Sequence, residues 1–447
     1  TIFSLASGRG RAGVAVLRLS GSGADPALKG LLKGVLPEAR RASLRKLFDP
    51  RSGVLLDQAL VIRFPGPSSF TGEDVVELHL HGGTAVIEAV YGALRKLKGL
   101  RPAEAGEFSR RAFESGRLDL TMAEGLNDLV WADTEAQRRQ AQNQLGGGLS
   151  EKYEDWRDRL TRLLALAEAA IDFSDEDLPE DSEKATVVDL RALQGEIMDH
   201  LDDRKVGQRI RGGFQIVLLG APNVGKSSLL NRLASDDVAI VSELAGTTRD
   251  IIEVRMDLAG FAVSLVDTAG LREGGNPVEE EGVRRARSRA LEADLKLFIV
   301  DATQWPERSV DVTEASGANS WLVINKTDLK RPEPEAGERQ GMRSFLLSAK
   351  TGEGVQELLA ALGEEVVKRL GGVEEAPLTR ARHRAALEEA AEALGRVADG
   401  RQSERREDPA LVSEDIRLAL RALGRITGRV GVEDVLDIVF AEFCIGK

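Results

Sequence analysis

The sequence has very little cysteine and lacks long hydrophobic runs. Cys444 is the only cysteine among 447 residues, which excludes an internal disulfide framework and a zinc site made of several cysteines. The four histidines, which include His79 and His81, do not stand at metal-ligand spacing with other histidines or with cysteine. No apolar run approaches the roughly 18–20 residues that a membrane span requires. These absences predict a cytoplasmic protein without membrane contacts.

An excess of basic residues is also lacking. Lysine and arginine together number 61, against 73 aspartate and glutamate residues, so the formal charge is −12. A protein that binds nucleic acid through its overall charge is normally basic, so any nucleic-acid contact of this chain must be local. The length corresponds to roughly three domains of ~100–200 residues each.

The pattern of apolar residues predicts a multidomain chain of α+β and α/β type. Residues 1–117 predict an α+β domain, with strands at 14–17, 59–62 and 75–80 and a helix at 84–97. Residues 118–210 and 371–447 have apolar positions at helical spacing, for example Trp156, Leu160 and Leu163. Between them, residues 211–370 alternate short apolar strands with helices, which is typical of a parallel sheet covered on both faces. An α/β domain is therefore predicted to be inserted into a discontinuous helical domain.

The inserted domain begins with a phosphate-binding motif. The segment GAPNVGKS at residues 220–227 follows a predicted strand and precedes a predicted helix. Its backbone N–H groups and the positive end of the helix are suited to phosphate oxygens. Lys226 is expected to reach the β- and γ-phosphates, and Ser227 to ligate Mg²⁺.

Three further motifs indicate that the nucleotide is GTP or GDP. DTAG at 267–270 supplies Asp267 for a water-mediated Mg²⁺ contact and the Gly270 amide for the γ-phosphate. NKTD at 325–328 supplies Asp328, which can accept hydrogen bonds from both N1–H and the exocyclic amine of guanine, and SAK at 348–350 closes the other side of the base. The predicted switch-I threonine is Thr247 or Thr248. The predicted nucleotide-binding residues are Asn223, Val224, Gly225, Lys226, Ser227, Ser228, Ser242, Thr247, Thr248, Asp267, Thr268, Ala269, Gly270, Asn325, Lys326, Thr327, Asp328, Ser348, Ala349 and Lys350.

The chain lacks the glutamine that many GTPases carry after the DxxG motif. Leu271 stands in its place and cannot orient a water molecule. No arginine finger is identifiable in the sequence either. Asn223 and the segment 242–248 could together hold a monovalent cation that offsets the charge developing on the phosphates.

The segments flanking this domain carry a family resemblance. The motifs SFTGEDVVEL (69–78), HGG (81–83), RPAEAGEF (101–108), RLDL (117–120) and FCIGK (443–447) resemble those of the MnmE (TrmE) family of tRNA-modifying GTPases, and the resemblance runs essentially from end to end. It implies a folate-binding N-terminal domain (1–117) that dimerises, a discontinuous helical domain (118–210 and 371–447) and a GTPase domain (211–370).

The resemblance also implies the activity and its cofactors. Such proteins form homodimers and act with an FAD-binding partner, MnmG (GidA), to modify carbon 5 of the wobble uridine in certain tRNAs. The one-carbon unit comes from a tetrahydrofolate derivative, of the 5-formyl or methylene type, and GTP hydrolysis requires Mg²⁺ and K⁺.

Particular residues acquire roles through this resemblance. The folate contacts fall on Arg18, Glu77, Arg117 (where the family commonly has lysine) and Lys447. The catalytic glutamate falls on Glu279. Magnesium is expected at Ser227 and Thr248, and potassium at Asn223, Ser242, Leu244 and Thr247.

One alternative shares the GTPase motifs. A ribosome-assembly GTPase that binds RNA in a GTP-dependent manner would carry the same phosphate- and base-binding sequences. Such proteins usually append an RNA-binding module such as a KH domain, whereas this chain has the folate-type N-terminal segment and the CIGK sequence at 444–447.

Overall fold

The computed structural model forms two compact units, and each is described by itself. One unit comprises Thr1–Asn127, Gln144–Leu193 and Glu389–Lys447, and the other comprises Asp128–Asn143 and Gln194–Glu388. The structure describes residues 1–8, 10–172, 180–235, 240, 253–267, 293–305, 319–332, 342–372, 377–398, 409–430, 433–441, 443 and 446.

The N-terminal part of the first unit is an α+β structure, as predicted. Its elements are β1 (Ile2–Leu5), β2 (Ala12–Ser20), α1 (Ala24–Leu31), β3 (Ser43–Phe48), β4 (Leu55–Phe64), β5 (Val75–Gly82), α2 (Thr84–Arg95), β6 (Arg101–Pro102) and α3 (Glu107–Glu114). The six strands form one sheet in the order β3-β4-β5-β2-β1-β6, antiparallel except for the β1–β6 pair. Strands β1, β3 and β6 are absent from the sequence prediction because β1 and β6 are short and because the adjacent Arg45 and Lys46 interrupt the apolar residues of β3.

Helices α1 and α2 cover one face of this sheet. Leu17 and Leu19 of β2 and Leu78 and Leu80 of β5 are buried in one cluster with apolar residues of both helices. Since side chains alternate along a strand, the intervening Arg18 lies on the opposite face.

The remaining helices are α4 (Leu120–Val130), α5 (Glu135–Leu145), α6 (Gly148–Asp172), α7 (Glu180–Leu201), α8 (Val206–Gly212), α9 (Lys226–Ala234), α10 (Val355–Leu370), α11 (Ala381–Ala398), α12 (Pro409–Thr427) and α13 (Glu433–Ala441). Most of them lie in the two predicted helical segments, whereas α9 and α10 belong to the α/β segment 211–370. Within the first unit α6 packs against α12, and Arg417 of α12 donates to Glu168 of α6 at 2.7 Å. None of the described helices is both long and apolar enough to cross a bilayer.

The second unit contains the predicted α/β sheet. Its strands are β7 (Phe214–Leu219), β8 (Glu253–Leu258), β9 (Phe261–Asp267), β10 (Leu295–Asp301), β11 (Ser320–Asn325) and β12 (Ser344–Leu346), in the order β12-β11-β10-β7-β9-β8. The predicted parallel sheet is confirmed for β7, β9, β10, β11 and β12. One further strand at the edge, β8, was not predicted and runs antiparallel to β9. Strand β8 alternates exposed Glu253 and Arg255 with buried Met256 and Leu258, so it has no continuous apolar run.

The central strands β7, β10 and β11 carry buried side chains on both faces of the sheet. Apolar residues of α9 and α10 pack against one of these two faces. Parallel strands present their carboxyl ends at one edge of a sheet. Gly220, Asp267 and Asn325 therefore lie together at the edge where the nucleotide motifs were predicted.

Candidate nucleotide-binding site

The loop between β7 and α9 has the shape of a phosphate-binding loop. Gly220 and Gly225 have φ angles of +145° and +100°, which favour glycine. A Cβ atom at Gly220 would lie 2.2 Å from the carbonyl oxygen of Ile299, and one at Gly225 would lie 2.2 Å from Nδ2 of Asn325. The neighbouring strands therefore hold this loop so tightly that only glycine fits at both positions.

Lys226, the first residue of α9, turns back into the loop. Its Nζ donates to the carbonyl oxygens of Gly220 at 2.7 Å and Ala221 at 2.9 Å, and the side chain is buried. Burial lowers the pKa of Lys226, and the nearby Asp267 carboxylate opposes that shift. The ammonium group is thus placed inside the loop, where an anionic phosphate would stabilise its charged form.

Ser227 and Asp267 fit the predicted magnesium site. The Ser227 hydroxyl donates to Oδ2 of Asp267 at 2.9 Å, which brings the first turn of α9 to the end of β9. Hydroxyl and carboxylate oxygens are hard donors of the kind that Mg²⁺ prefers. The other predicted magnesium ligand, Thr248, lies outside the described residues.

Asn325 joins the phosphate loop to the base-binding loop. Its Nδ2 donates to the Val224 carbonyl at 2.8 Å, and its Oδ1 accepts from the Ala349 N–H at 2.9 Å. The side chain is buried, so its single amide group fixes two loops that are far apart in sequence.

Lys326 forms a second connection to the phosphate loop. Its Nζ donates to the Asn223 carbonyl at 2.7 Å and to Oδ2 of Asp301 at 2.7 Å. The other Asp301 oxygen accepts from the N–H and hydroxyl of Thr303. Burial raises the pKa of Asp301, but these hydrogen bonds outweigh it and lower the pKa overall. Asp301 is not among the residues predicted for the site. Its position as the last residue of a buried apolar strand is the sequence feature that could have identified it.

Asp328 is exposed and oriented by a buried serine. The Ser348 hydroxyl donates to Oδ1 of Asp328 at 2.7 Å, and Ser348 is fully buried. An exposed carboxylate held in one orientation is suited to the paired donors on the guanine edge. Lys350 is exposed beside it, and the Thr327 N–H donates to the Leu347 carbonyl at 3.3 Å.

The structure thus assembles one part of the predicted nucleotide set. It brings together residues 223–228, Asp267, residues 325–328 and residues 348–350. The other predicted nucleotide, potassium and catalytic residues lie outside the described residues; they are Ser242, Leu244, Thr247, Thr248, Thr268, Ala269, Gly270 and Glu279.

A separate cluster on the N-terminal sheet contains two of the predicted folate contacts. Arg18 donates from Nε at 3.0 Å and from Nη2 at 2.8 Å to Oε1 of Glu77, and both are partly buried. The guanidinium carbon lies 5.5 Å from the ring centroid of Phe70 and 5.9 Å from that of Phe108. The paired charges beside two aromatic rings fit a planar, polar heterocycle that carries carboxylates.

A network of charges holds these two rings in place. Arg111 donates to Glu73 and to Glu107, each at 2.8 Å, and Arg101 donates to both oxygens of Glu107. Burial raises the pKa of Glu107, but Arg101, the Glu104 N–H and Arg111 together lower it from 4.5 to about 2. Since Glu73 belongs to the Phe70 loop and Glu107 begins α3, the network joins the segments that carry the rings.

The other predicted folate contacts are placed less directly. Arg117 is exposed beyond the end of α3, and among the described residues no hydrogen bond joins it to Arg18 or Glu77. Lys447 and Cys444 lie outside the described residues, but a Cβ at Gly446 would come within 2.0 Å of the Leu5 carbonyl. Gly446 therefore lies against β1, the strand next to Arg18 in the sheet.

Comparison with known proteins identifies the family. The model of the GTP-binding protein TrmE N-terminus matches residues 1–117, and the model of the MnmE helical domain matches residues 120–444. The tRNA modification GTPase MnmE of Rhodospirillum rubrum is 53% identical over 460 residues, covering 100% of this chain and 99% of that protein. The protein of the same name from Paramagnetospirillum magneticum is 52% identical over 447 residues, covering 100% and 99%.

A human protein is similar over the same span. The mitochondrial 5-taurinomethyluridine-[tRNA] synthase subunit GTPB3 of Homo sapiens is 50% identical over 464 residues, covering 100% of this chain and 93% of that protein. These matches extend over both the nucleotide motifs and the Arg18 cluster. The chain belongs to the MnmE (TrmE) family of tRNA modification GTPases.

Proposed function

We propose that this chain is a potassium-dependent GTPase that acts with an FAD-dependent partner to modify carbon 5 of the wobble uridine in certain tRNAs. The product is of the aminomethyl or carboxymethylaminomethyl type, with a one-carbon unit taken from tetrahydrofolate. The observation that carries the proposal is the guanine-nucleotide site assembled around Lys226, Asn325 and Asp328 in a chain of this family.

The described residues account for binding and orientation of the nucleotide. Lys226 and the loop N–H groups meet the phosphates, and Asp328, oriented by Ser348, selects guanine. Ser227 and Asp267 would hold Mg²⁺, which when bound neutralises charge on the phosphate oxygens. Asn325 and Lys326 form hydrogen bonds to the phosphate loop, so the loop that binds the phosphates and the loop that binds the base are directly connected.

Asn223 is proposed to be one of the residues that bind the potassium ion. Its φ of +65° and the hydrogen bond from Lys326 to its carbonyl fix its backbone at the edge of the phosphate loop. Asn223 would share the ion with Ser242, Leu244 and Thr247, and Glu279 would position the attacking water. Hydrolysis is expected to be fast in KCl and slow in NaCl, and equal rates would contradict the potassium site.

The role of Glu279 has a direct control in its neighbours. Glu279→Ala should lower turnover by about 10²–10⁴-fold, the usual size of a lost general-base effect, while GTP affinity is retained. Glu280→Ala and Glu281→Ala change the same residue type in the same segment and should stay near the wild-type rate. An active Glu279→Ala variant would assign the role to another residue.

The N-terminal cluster is proposed to bind a 5-formyl- or methylene-tetrahydrofolate. Arg18 and Glu77 would contact it together with Arg117 and Lys447, in a homodimeric domain formed by residues 1–117. Deleting the last four residues of the sequence should weaken binding of 5-formyltetrahydrofolate in calorimetry and leave GDP binding unchanged. Equal folate affinities would remove this segment from the site.

The partner and domain assignments belong to the same proposal. The helical domain is assigned to residues 118–210 and 371–447 and the GTPase domain to 211–370, with the chain acting in the cytoplasm beside MnmG. Reconstitution with that flavoprotein, GTP, K⁺, a reduced folate and unmodified tRNA should yield the modified wobble uridine by mass spectrometry. Omission of GTP should abolish the product.

A further inference from the structure

Charge is distributed unevenly along the chain. Residues 1–117 contain 18 lysine and arginine residues against 11 aspartate and glutamate residues, a net charge of +7. Residues 118–447 contain 43 against 62, a net charge of −19. A polyanion that meets this protein is therefore attracted to the N-terminal region and repelled by the rest.

Three segments of the N-terminal region bring exposed basic residues to one place. The ends of α1 and α2 meet where a Cβ at Gly30 would lie 3.9 Å from Cδ2 of Leu97. The turn after β3 joins them, since Nζ of Lys33 lies 4.0 Å from the ring centroid of Phe48 and Nζ of Lys96 lies 3.1 Å from Oδ2 of Asp49. We name this place the basic corner; its basic residues are Lys29, Lys33, Arg51, Arg95, Lys96 and Lys98.

Most of this charge is available to an outside partner. Of the six, only Lys96 forms an ion pair within the described part of the chain, and all six are exposed. Its partner Asp49 is buried and accepts from the backbone N–H groups of Ser52 and Arg51. These bonds and Lys96 hold the pKa of Asp49 well below its usual range, so its charge is already compensated.

Helix stabilisation accounts for only part of the cluster. Cations in the last turn of a helix interact favourably with its dipole, which explains Lys29 and Arg95. Lys33, Arg51 and Lys98 lie beyond the helix ends. Their convergence from separate loops forms a positively charged surface, and lysine and arginine are residues that contact a phosphate backbone.

We propose that the basic corner is the surface on which the tRNA backbone docks. The proposal rests on the proposed function for its partner, and it explains how a chain of net charge −12 engages a polyanion. Contacts of this kind are electrostatic, carry no base specificity and weaken with salt.

The test compares two triple variants of the full-length protein. The corner variant, Lys29→Gln/Arg51→Gln/Lys98→Gln, removes three exposed charges and leaves the Lys33–Phe48 and Lys96–Asp49 contacts intact. The control variant, Arg11→Gln/Arg204→Gln/Lys368→Gln, removes three exposed charges elsewhere, so both proteins have the same net charge. A charge-retaining corner variant, Lys29→Arg/Arg51→Lys/Lys98→Arg, completes the set.

Affinity for an unmodified tRNA transcript is measured by fluorescence anisotropy at several KCl concentrations, with GTP hydrolysis as the check on folding. The corner variant should bind about 10–100-fold more weakly at low salt, and the slope of log K against log [KCl] should fall by about 2–3. The control and charge-retaining variants should bind within about 2-fold of wild type. Unchanged tRNA affinity in the corner variant, or equal losses in the control variant, would overturn the proposal.

Two further outcomes separate this proposal from the proposed function. Wild-type protein that binds no tRNA, but binds vesicles containing phosphatidylglycerol through the corner, would reassign the surface to a membrane and overturn the docking proposal. Wild-type protein that binds tRNA through the corner, yet supports no wobble-uridine modification with its partner, would refute the proposed function and support the docking surface.

Discussion

Asp301 is predicted to control how long the nucleotide stays bound, although its own hydrogen-bond partners are protein groups, Thr303 and Lys326. It holds the Lys326 ammonium, which in turn holds the Asn223 carbonyl of the phosphate loop. Asp301→Asn keeps the size of the side chain but removes the charge that fixes Lys326. The hydrogen bond from Lys326 to the phosphate loop is then weakened, and among the described residues the bond from Asn325 to the Val224 carbonyl remains.

The size of the effect follows from the geometry of this ion pair. A hydrogen bond to a charged group contributes about 1.5–3 kcal/mol. The side chains of Lys326 and Asp301 are 30% and 9% exposed, so solvent screens the pair in part, and the asparagine retains an acceptor oxygen. We therefore expect a loss of about 1–2 kcal/mol, which corresponds to about 5–30-fold faster dissociation of GDP.

The assay is stopped-flow displacement of fluorescent mant-GDP by excess GDP. Asp294→Asn is the matched control. Asp294 lies immediately before β10, is also buried, and accepts hydrogen bonds from the Gln215 N–H and from Arg209. It lies at the opposite end of that strand, so its loss should affect thermal stability and leave the dissociation rate within about 2-fold of wild type. Unchanged or slower dissociation in Asp301→Asn, or an equal effect of Asp294→Asn, would refute the reasoning.

Three other predictions concern the base-binding loop, the phosphate loop and the N-terminal charge network. Asp328→Asn should weaken GTP binding by about 1.5–3 kcal/mol and favour xanthosine triphosphate, measured by competition for mant-GDP; unchanged GTP affinity would contradict the base assignment. Gly225→Ala should abolish nucleotide binding, because the new Cβ would meet Asn325 at 2.2 Å, whereas Gly212→Ala, which meets nothing within 4 Å, should bind GDP normally. Because the pKa of Glu107 is lowered from 4.5 to about 2, its contribution to stability is present above about pH 4.5 and is lost as the pH falls toward 2. Solvent screens part of this network, because Arg101 is 53% exposed, so Glu107→Gln should destabilise the protein by about 1–2 kcal/mol at neutral pH. It should also flatten the pH dependence of the melting temperature between about pH 4.5 and 2; an unchanged pH dependence there would exclude Glu107 as its source.

The residues of the nucleotide site could be predicted from sequence where their chemistry is local. The phosphate loop depends on glycines at fixed spacing between a strand and a helix, and Gly220 and Gly225 both have the positive φ angles that glycine adopts without steric cost. Asp301 could not be found in this way, because its partner Lys326 is 25 residues away and is brought to it only by the pairing of β10 with β11.

The same limit applies to the N-terminal cluster. Arg18 and Glu77 were identified through the resemblance, but the rings of Phe70 and Phe108 beside Arg18 depend on how a loop and α3 pack against the sheet. Strand β8 was missed because an edge strand needs only one buried face, and its charged residues interrupt the apolar run that was sought. Local patterns therefore identified the chemistry, while strand order and long-range ion pairs determined which other residues support it.

The most direct test of the central claim couples guanine recognition to tRNA modification. Asp328→Asn protein is supplied with the proposed flavoprotein partner, a reduced folate, unmodified tRNA and either GTP or xanthosine triphosphate, and the wobble uridine is analysed by mass spectrometry. Modification should be lost with GTP and restored with xanthosine triphosphate, because the proposed function requires nucleotide bound at this site. Modification that proceeds equally with GTP, or that is restored by neither nucleotide while xanthosine triphosphate is still hydrolysed, would contradict the account.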